Sequence, residues 1–300
     1  MLQTIGPVSI GWGASSEETS QTHQSPGWWV SLLDPSEASR RLGSPGVPWF
    51  NHADWSGIET ADWVAWISNR SKAARVSRES PGGALGEPLS VVIPAILRRE
   101  GLVDGHGAIV APDPRRPDDG IFITGLSGSG KSTLSVSAAL GGARLVSDDS
   151  VAIGHHTGGL RGWSRRSAMS LSRPAYDALL PGSPRREVDG KVWFDARDAC
   201  GSRYVDSLRV RGVVFLERAN SREGEAAPAT TSSQAIGSAD AYRRLLMGHP
   251  ILSMDVGARN CFSVVRSLAD LPAYRMVTGH DVLHSAQAAC ATLAPLLPID

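Results

Sequence analysis

The sequence predicts an α/β protein in which helices flank a mostly buried sheet and a small tryptophan-rich lobe comes first. Three observations lead to this fold class. Apolar strand-like runs alternate with helix-like segments in the second part of the chain. A glycine-rich loop stands between one such strand and the helix that follows it. Seven of the nine tryptophans lie before residue 70. We therefore expect two domains, residues 1–86 and residues 87–300.

The composition excludes several classes of protein. Of the 300 residues, 41% are hydrophobic, which is typical of a globular chain and not of a collagen-like or disordered one. The 30 basic and 30 acidic residues cancel, so neither nucleic acid nor a membrane is an expected partner. The first residues lack the pattern of a signal peptide, and no apolar run approaches the roughly 18 residues that span a bilayer. We expect a cytoplasmic protein with free thiols at Cys200, Cys261 and Cys290.

The N-terminal lobe carries one helix-like pattern. Ser56 and Glu59 have the spacing of a helix capping box, and Trp63, Trp66 and Ile67 would then share one face of the helix that follows. Because each tryptophan buries a large apolar area, we expect the tryptophans to form the core of this lobe. The alternative is a recognition surface or a lid over an active site.

The remaining pattern predicts a series of elements after a joint rich in Ser, Gly and Pro. In chain order, they are the joint at 77–88, a helix at 89–100, strands at 108–111 and 121–124 that form a hairpin, a helix ending near Leu140, a strand at 144–147, a long strand at 208–216, and helices at 241–247 and 281–293. The polar tract at 217–240 is expected to be a loop.

The glycine-rich loop matches the pattern G-x-x-x-x-G-K-[ST] at every fixed position. Glycines let the backbone curl so that successive N–H groups point at phosphate oxygens, and the following helix directs its positive end at the same anion. The pattern predicts a site for ATP and Mg²⁺, with Lys131 on the terminal phosphates and Ser132 on the metal ion. The predicted nucleotide-binding residues are Gly125, Ser127, Gly128, Ser129, Gly130, Lys131, Ser132 and Thr133.

A pair of carboxylates follows at a short distance along the chain. Asp148 and Asp149 end an apolar run seventeen residues after Lys131. A strand that delivers carboxylates beside a phosphate loop is a common way to hold magnesium, so we expect a metal site at Ser132 and Asp149. The other carboxylate can face the hydroxyl that accepts the phosphate. The alternative is a solvated acidic turn or a helix cap.

These motifs resemble a known family. His106-Gly107, the segment GIFITGLSGSGKST and the segment LVSDD are similar to the catalytic domain of HPr kinase/phosphorylase and, more distantly, to ATP-dependent phosphoenolpyruvate carboxykinase. The resemblance covers roughly residues 87 to 275. It implies catalytic roles for Lys131, Asp148 and Asp149, and a place for His106 near the transferring phosphate.

The same resemblance implies an activity and an assembly. The activity is a Mg²⁺- and ATP-dependent kinase acting on a Ser or Thr hydroxyl of a protein or peptide, including a precursor peptide in biosynthesis. Full-length members form hexamers, which implies a homo-oligomer. The division of roles between the two aspartates stays open. His106 has an alternative interpretation as a packed or surface residue.

The chain departs from the family at one strand. Where the family has Glu-x-Arg-Gly, this sequence reads Arg209-Val-Arg211-Gly212, so a metal-binding carboxylate is missing and the reverse phosphorylase reaction is not expected. Glu217 either substitutes for it or is merely solvated.

Three further cations are candidate substrate contacts. Lys191 is one of only three lysines and can bind a phosphate or the substrate, or it can be an exposed turn residue. Arg165 and Arg166 can stabilise transition-state charge, or they belong to a solvated basic loop.

Two other functions remain open at this point. The segment ITGLSGSGKST is also similar to the opening of adenylylsulfate kinases, which would make the protein a kinase of small-molecule hydroxyl groups. In those kinases, however, the loop lies near the chain start, whereas here 124 residues precede Gly125. The other alternative is an ATPase or nucleotide-binding switch without a phosphate acceptor.

Overall fold

The structure, a computed structural model, divides the chain into two compact units. The first contains residues 1–102 and 251–261, and the second contains residues 103–250 and 262–300. The residues described are 2–5, 8–13, 28–33, 49–52, 55–59, 63–68, 70–78, 86–183, 185–217, 230–248, 258–279 and 285–298. The domain boundary predicted between residues 86 and 87 falls at the start of a helix. In the structure, the first compact unit continues through that helix to Leu102.

Strands dominate the described part of the first unit. They are β1 (Leu2–Ile5), β2 (Val8–Gly13), β3 (Trp28–Leu33), β4 (Trp49–His52), β5 (Trp55–Glu59), β6 (Trp63–Ser68) and β7 (Ala73–Arg78). They form one sheet in the order β1-β2-β3-β7-β6-β5-β4. Helix α1 (Gly86–Arg99) packs against β6.

The helix predicted around Trp63, Trp66 and Ile67 is wrong. These residues lie in β6, and Ser56 and Glu59 lie in the neighbouring strand β5. Consecutive residues of β6 from position 65 to position 68 are buried, so both faces of the strand are covered and no alternation reveals it. Trp66 is 8% exposed and belongs to the core. The side chains of the other six early tryptophans lie outside the described residues, so their role as core or lid stays a prediction.

The second unit contains a large mixed sheet and a small antiparallel one. In chain order, its strands are β8 (Val103–Gly105), β9 (Gly107–Ala111), β10 (Asp119–Gly125), β11 (Arg144–Leu145), β12 (Val151–His156), β13 (Gly159–Ser164), β14 (Ala168–Ser172), β15 (Arg186–Val188), β16 (Lys191–Asp195), β17 (Ser207–Glu217), β18 (Ser232–Ile236) and β19 (Ala273–Val277). The large sheet has the order β11-β9-β10-β17-β13-β12-β8, and β19 and β18 extend it from β17. The small sheet has the order β14-β16-β15.

The long strand β17 organises the large sheet. It pairs in parallel with β10 along one edge. Along the other edge, its first residues pair with β13 and its last residues pair in parallel with β19. The carboxyl ends of β10, β17 and β19 therefore meet at the same end of the sheet, which is where α/β proteins place their ligands.

The described residues after Leu102 form six α-helices, the first of which packs against β9, β10 and β11 of the large sheet. Their bounds are α2 (Lys131–Leu140), α3 (Arg173–Leu179), α4 (Ala196–Cys200), α5 (Ser238–Gly248), α6 (Ala258–Ala269) and α7 (Ala286–Leu293). The core includes fully buried Ile123 and Val214 from the sheet, Leu134 from α2 and Leu293 from α7. No helix in the described part of the chain has the length and apolar character that crossing a membrane requires.

The structure confirms the mixed α/β class and most of the predicted elements of the second unit. The hairpin of β9 and β10, the helix ending at Leu140 and the long strand β17 are all present. The loop predicted over 217–240 is wrong in part, because β18 and the start of α5 lie within it, while residues 218–229 lie outside the described residues. Four of the five residues of β18 are exposed, so it has no apolar alternation to reveal it.

Two predicted elements are shorter than expected. The strand predicted at 144–147 is β11 and ends at Leu145. The helix predicted at 281–293 begins only at Ala286, and its first predicted turn falls outside the described residues.

Candidate functional site

The glycine-rich loop at residues 125–133, which the sequence predicts to bind phosphate and which is called the phosphate loop below, connects the carboxyl end of β10 to the amino end of α2. Gly125, Gly128 and Gly130 have φ angles of 154°, 73° and 96°, which residues with a side chain disfavour. At Gly125, a Cβ atom would lie only 2.2 Å from the carbonyl oxygen of Leu216 on β17. No side chain caps α2 at Gly130, so the N–H groups of its first turn are not satisfied by a cap and can bind an anion.

Two buried side chains of the loop can donate hydrogen bonds to phosphate. Lys131 is 6% exposed, and its Nζ donates to the carbonyl oxygens of Gly125 at 2.8 Å and Leu126 at 3.0 Å. Because an ammonium group has three hydrogens, one donor remains for a ligand. Ser129 is 4% exposed, and its Oγ has no hydrogen-bond partner among the described residues. Both groups suit a site for phosphate oxygens.

Asp148 is a buried carboxylate beside the loop. It is 1% exposed, and neither oxygen forms a hydrogen bond of normal geometry with a described residue. Burial raises the pKa of Asp148 to about 6, and the negative charge of Asp149 acts in the same direction. The Ser132 hydroxyl and the Ser170 backbone are close enough to favour the charged form and partly oppose this shift. When Asp148 is ionised, its buried negative charge would be stabilised by a bound cation.

Asp149 has the opposite environment. His106 Nδ1 lies 3.1 Å from its Oδ1, and Arg166 Nη2 forms an ion pair with its Oδ2. The hydrogen bond from His106 and the charge of Arg166 lower the pKa of Asp149 to about 2, although partial burial opposes them. Its side chain is 35% exposed. Asp149 is therefore ionised, oriented and accessible, whereas Asp148 is buried.

The sheet explains why these residues meet. Strand β9 runs antiparallel to β10, which brings Gly107 opposite Thr124 at the end of β10 where the phosphate loop begins. The Thr124 hydroxyl donates to the His106 carbonyl oxygen at 3.1 Å. On the other side of β9, the Gly107 N–H donates to the carbonyl oxygen of Asp149 at 3.2 Å. Backbone pairing thus holds His106, the loop and Asp149 at one end of the sheet.

Lys131 is electrostatically coupled to both aspartates. Burial lowers the pKa of Lys131, while the charges of Asp149 and Asp148 partly offset that effect and the charge of Lys191 adds to it. Lys191 is an exposed residue at the start of β16, and its place as a substrate contact stays a prediction. The charges of Asp148 and Asp149 thus act on Lys131, the lysine of the loop.

The two arginines predicted as substrate contacts have different surroundings. Arg166 pairs with Asp149, and its guanidinium lies 5.6 Å from the centre of the Trp193 ring on β16. Arg165 forms an ion pair with Asp104 on β8. Sequence reasoning missed Trp193 and Asp104 as partners, because a contact between distant segments leaves no local pattern.

The remaining predicted residues occupy less central positions. Ser127 and Gly128 are exposed on the loop, and Thr133 is half-buried in the first turn of α2. Glu217, at the carboxyl end of β17, is paired with Arg244 at 2.8 Å and Arg275 at 2.6 Å. These two guanidinium groups neutralise Glu217, so neither of the two interpretations, a metal contact or a solvated end, describes it.

The residues present fit a magnesium ion. Mg²⁺ prefers oxygen ligands and usually takes only one or two carboxylates from the protein, with phosphate and water completing its shell. The unpartnered oxygens of Asp148 beside the Ser132 hydroxyl supply such a set. Asp149, the carboxylate predicted for the metal, is instead held by His106 and Arg166. No cluster of three or more His, Cys, Asp or Glu side chains that could hold a metal occurs in the described ranges.

Comparisons with known proteins place this site in context. No family model and no curated protein matches the chain. Among solved structures, the chain is similar to the HPr(Ser) kinase/phosphatase from Coxiella burnetii, with 13% sequence identity and a TM-score of 0.33. The match covers 59% of this chain and 78% of that chain. A likeness of this size establishes no family membership, so the function has to follow from the chemistry of the site.

Proposed function

We propose that this protein is a kinase that uses ATP and Mg²⁺ to phosphorylate a hydroxyl group, namely a Ser or Thr of a protein or peptide. One observation carries the proposal. A buried, unpartnered carboxylate, Asp148, stands beside Ser132 of a glycine-rich phosphate loop, while the adjacent Asp149 is oriented and accessible. A site that only bound and released nucleotide would not require the second, accessible carboxylate.

The two aspartates divide the work in this proposal. Asp148 and Ser132 would hold Mg²⁺, which supplies neutralisation of the phosphate charge when it is bound. Asp149 would accept a hydrogen bond from the acceptor hydroxyl and take its proton. His106 and Arg166 fix the orientation of Asp149 and keep it ionised at physiological pH. Burial excludes Asp148 from direct contact with a large acceptor.

The reaction is a transfer between two oxygens. The acceptor oxygen forms a bond to the γ-phosphorus of ATP as the bond from that phosphorus to its bridging oxygen breaks. The hydroxyl proton passes to Asp149, and ADP leaves. Lys131 and the N–H groups at the start of α2 stabilise the negative charge on the phosphate oxygens. Positioning and electrostatics account for the rate, since little covalent chemistry falls to the protein.

The test uses purified protein, γ-labelled ATP, Mg²⁺ and a cell extract as the source of acceptor. We expect label to enter a protein or peptide at Ser or Thr. Replacement of Lys131 by Ala, or of Asp149 by Asn, should each reduce transfer by at least roughly 100-fold, the size typical for loss of a charge-stabilising or proton-accepting group. Both variants should remain folded by circular dichroism.

A matched control and two other outcomes sharpen the test. Asp206→Asn removes an aspartate that is 84% exposed and should leave the transfer rate unchanged. Unchanged turnover in Lys131→Ala or Asp149→Asn contradicts the proposal. Label in a small metabolite would instead establish a small-molecule kinase, and release of inorganic phosphate without any labelled acceptor would establish an ATPase or switch.

A further inference from the structure

A polar cleft lies at the end of the large sheet opposite the phosphate loop. It has a volume of about 200 Å³. Arg161, Arg209, Asp118 and the β12–β13 turn with Thr157 line it. Strand β10 begins beside this cleft at Asp119 and ends at the phosphate loop. At about 3.3 Å per residue, that strand separates the two places by roughly 20 Å.

The cleft has an unusual arrangement of charge. Arg161 on β13 and Arg209 on β17 stand directly opposite each other in an antiparallel pair. Like charges in this position destabilise a sheet unless something compensates them. Arg209 is compensated, because its Nε lies 2.6 Å from Oδ1 of Asp119, whose side chain is 3% exposed. Of the two opposed arginines, Arg209 therefore has a carboxylate partner that offsets its charge.

None of the described carboxylates compensates the charge of Arg161. Its Nη1 donates to the Ser207 hydroxyl oxygen at 2.7 Å, and no acidic side chain among the described residues forms an ion pair with it. Asp118, the carboxylate in the lining, pairs with Arg144 at 3.0 Å. The two acidic and three basic groups of this region leave one positive charge in excess, and that charge is on Arg161.

We propose that this cleft binds a small phosphate-type oxyanion, either inorganic phosphate or a compact phosphomonoester, with Arg161 as its principal ligand. The planar guanidinium group presents paired donors that match phosphate oxygens. The Thr157 hydroxyl adds a neutral donor from the turn. The volume of the cleft is smaller than the 300 to 1,000 Å³ that is typical of sites for larger organic ligands. A compact anion therefore fits it best. The proposal does not depend on the proposed kinase function.

The test uses a variant whose phosphate loop is weakened, so that anion binding at the cleft can be measured separately. All measurements use the full chain carrying Lys131→Ala, titrated with inorganic phosphate or with glycerol phosphate at constant ionic strength, and followed by calorimetry. We expect saturable binding at a single site. Arg161→Gln should weaken it at least tenfold. Ser207→Glu should weaken it similarly, because a carboxylate on the present partner of Arg161 neutralises the excess charge while Arg161 stays in place.

The control variant is Arg186→Gln, which removes an exposed arginine from β15 in the small sheet. It should bind the anion as the parent does. Absence of binding to the parent overturns the proposal, and so does equal binding by the parent and Ser207→Glu. Preference for glycerol phosphate over inorganic phosphate would identify a phosphomonoester as the ligand, and the reverse preference would identify free phosphate.

Discussion

Asp148 shows how one buried residue links function to stability. Burial disfavours its charged form, so its pKa in the folded protein is about 6 instead of the 3.8 of an exposed aspartate. The folded state therefore holds the proton more tightly than the unfolded state does. Ionisation of Asp148 therefore destabilises the folded state. This effect is absent below about pH 4, grows as pH rises, and is complete above about pH 6.

We therefore predict that Asp148→Asn stabilises the protein, and more so at high pH. At pH 8 the gain should approach about 3 kcal/mol, the free energy equivalent of a shift of roughly two pKa units. At pH 4.5 it should be smaller by about half or more. Urea unfolding of both proteins at the two pH values measures the difference. A gain that does not depend on pH would show that the buried charge is not its source.

The same residue illustrates a general conflict between stability and activity. Asp148→Asn should lose phosphoryl transfer while it gains stability, because the proposed metal contact requires a charged oxygen. Asp149 differs, since a hydrogen bond from His106 and the charge of Arg166 favour its ionised form. The two adjacent aspartates thus have opposite pKa shifts because their surroundings differ.

At the scale of elements, the junction of β10, the phosphate loop and β17 is the tightest point of the site. Gly125 pairs with Leu216 in the parallel ladder, and the loop turns immediately afterwards. The backbone of β17 approaches so closely that a methyl group cannot fit between the two chains. The conformation of the loop is therefore fixed by a strand some ninety residues away in the sequence.

We predict that Gly125→Ala destabilises the protein by more than about 2 kcal/mol, the range of substitutions that create a backbone clash or strain. It should also weaken nucleotide binding. The measurement is chemical unfolding together with a nucleotide titration. Gly237→Ala is the matched control, because nothing lies within 4 Å of an added Cβ there, and it should stay within roughly 0.5 kcal/mol of the wild type. Similar stabilities for the two variants would refute the role of the close approach.

For the whole molecule, the proposed site predicts a link between nucleotide and global stability. A ligand that binds only the folded state raises the melting temperature in proportion to the logarithm of its concentration over its dissociation constant. We expect Mg²⁺ with ATP to raise the melting temperature by several degrees at saturating concentration. Lys131→Ala should lose most of this rise, and scanning calorimetry measures both.

The control for this prediction distinguishes the effect of nucleotide binding on the melting temperature from the effect of ionic strength. Sodium chloride at matched ionic strength should change the melting temperature equally in wild type and Lys131→Ala. An equal rise with Mg²⁺ and ATP in the two proteins would place nucleotide binding elsewhere. Self-association, expected from the resemblance to the hexameric kinases, stays a prediction that sedimentation analysis can test.

The limits of prediction are visible in particular elements. The capping-box spacing of Ser56 and Glu59 predicted a helix where β6 lies, and because both faces of β6 are buried, no alternation revealed the strand. Strand β18 was missed for the opposite reason, because it is almost entirely exposed. In both cases, tertiary environment and not local pattern decided the conformation.

The amino-acid sequence was sufficient to predict the mixed α/β class of the second unit and the position of the glycine-rich loop between β10 and α2. Both depend on short-range features: apolar runs of strand length, and glycines at fixed spacing before a lysine. The tertiary structure was needed to show which carboxylate is buried, that His106 and Arg166 hold Asp149, and that Arg161 pairs with Arg209 across neighbouring strands beside one cleft. The physical reason is that burial, charge pairing and the close approach of β17 to Gly125 depend on residues brought together from distant segments, whereas the glycine spacing that marks the loop lies within one short segment.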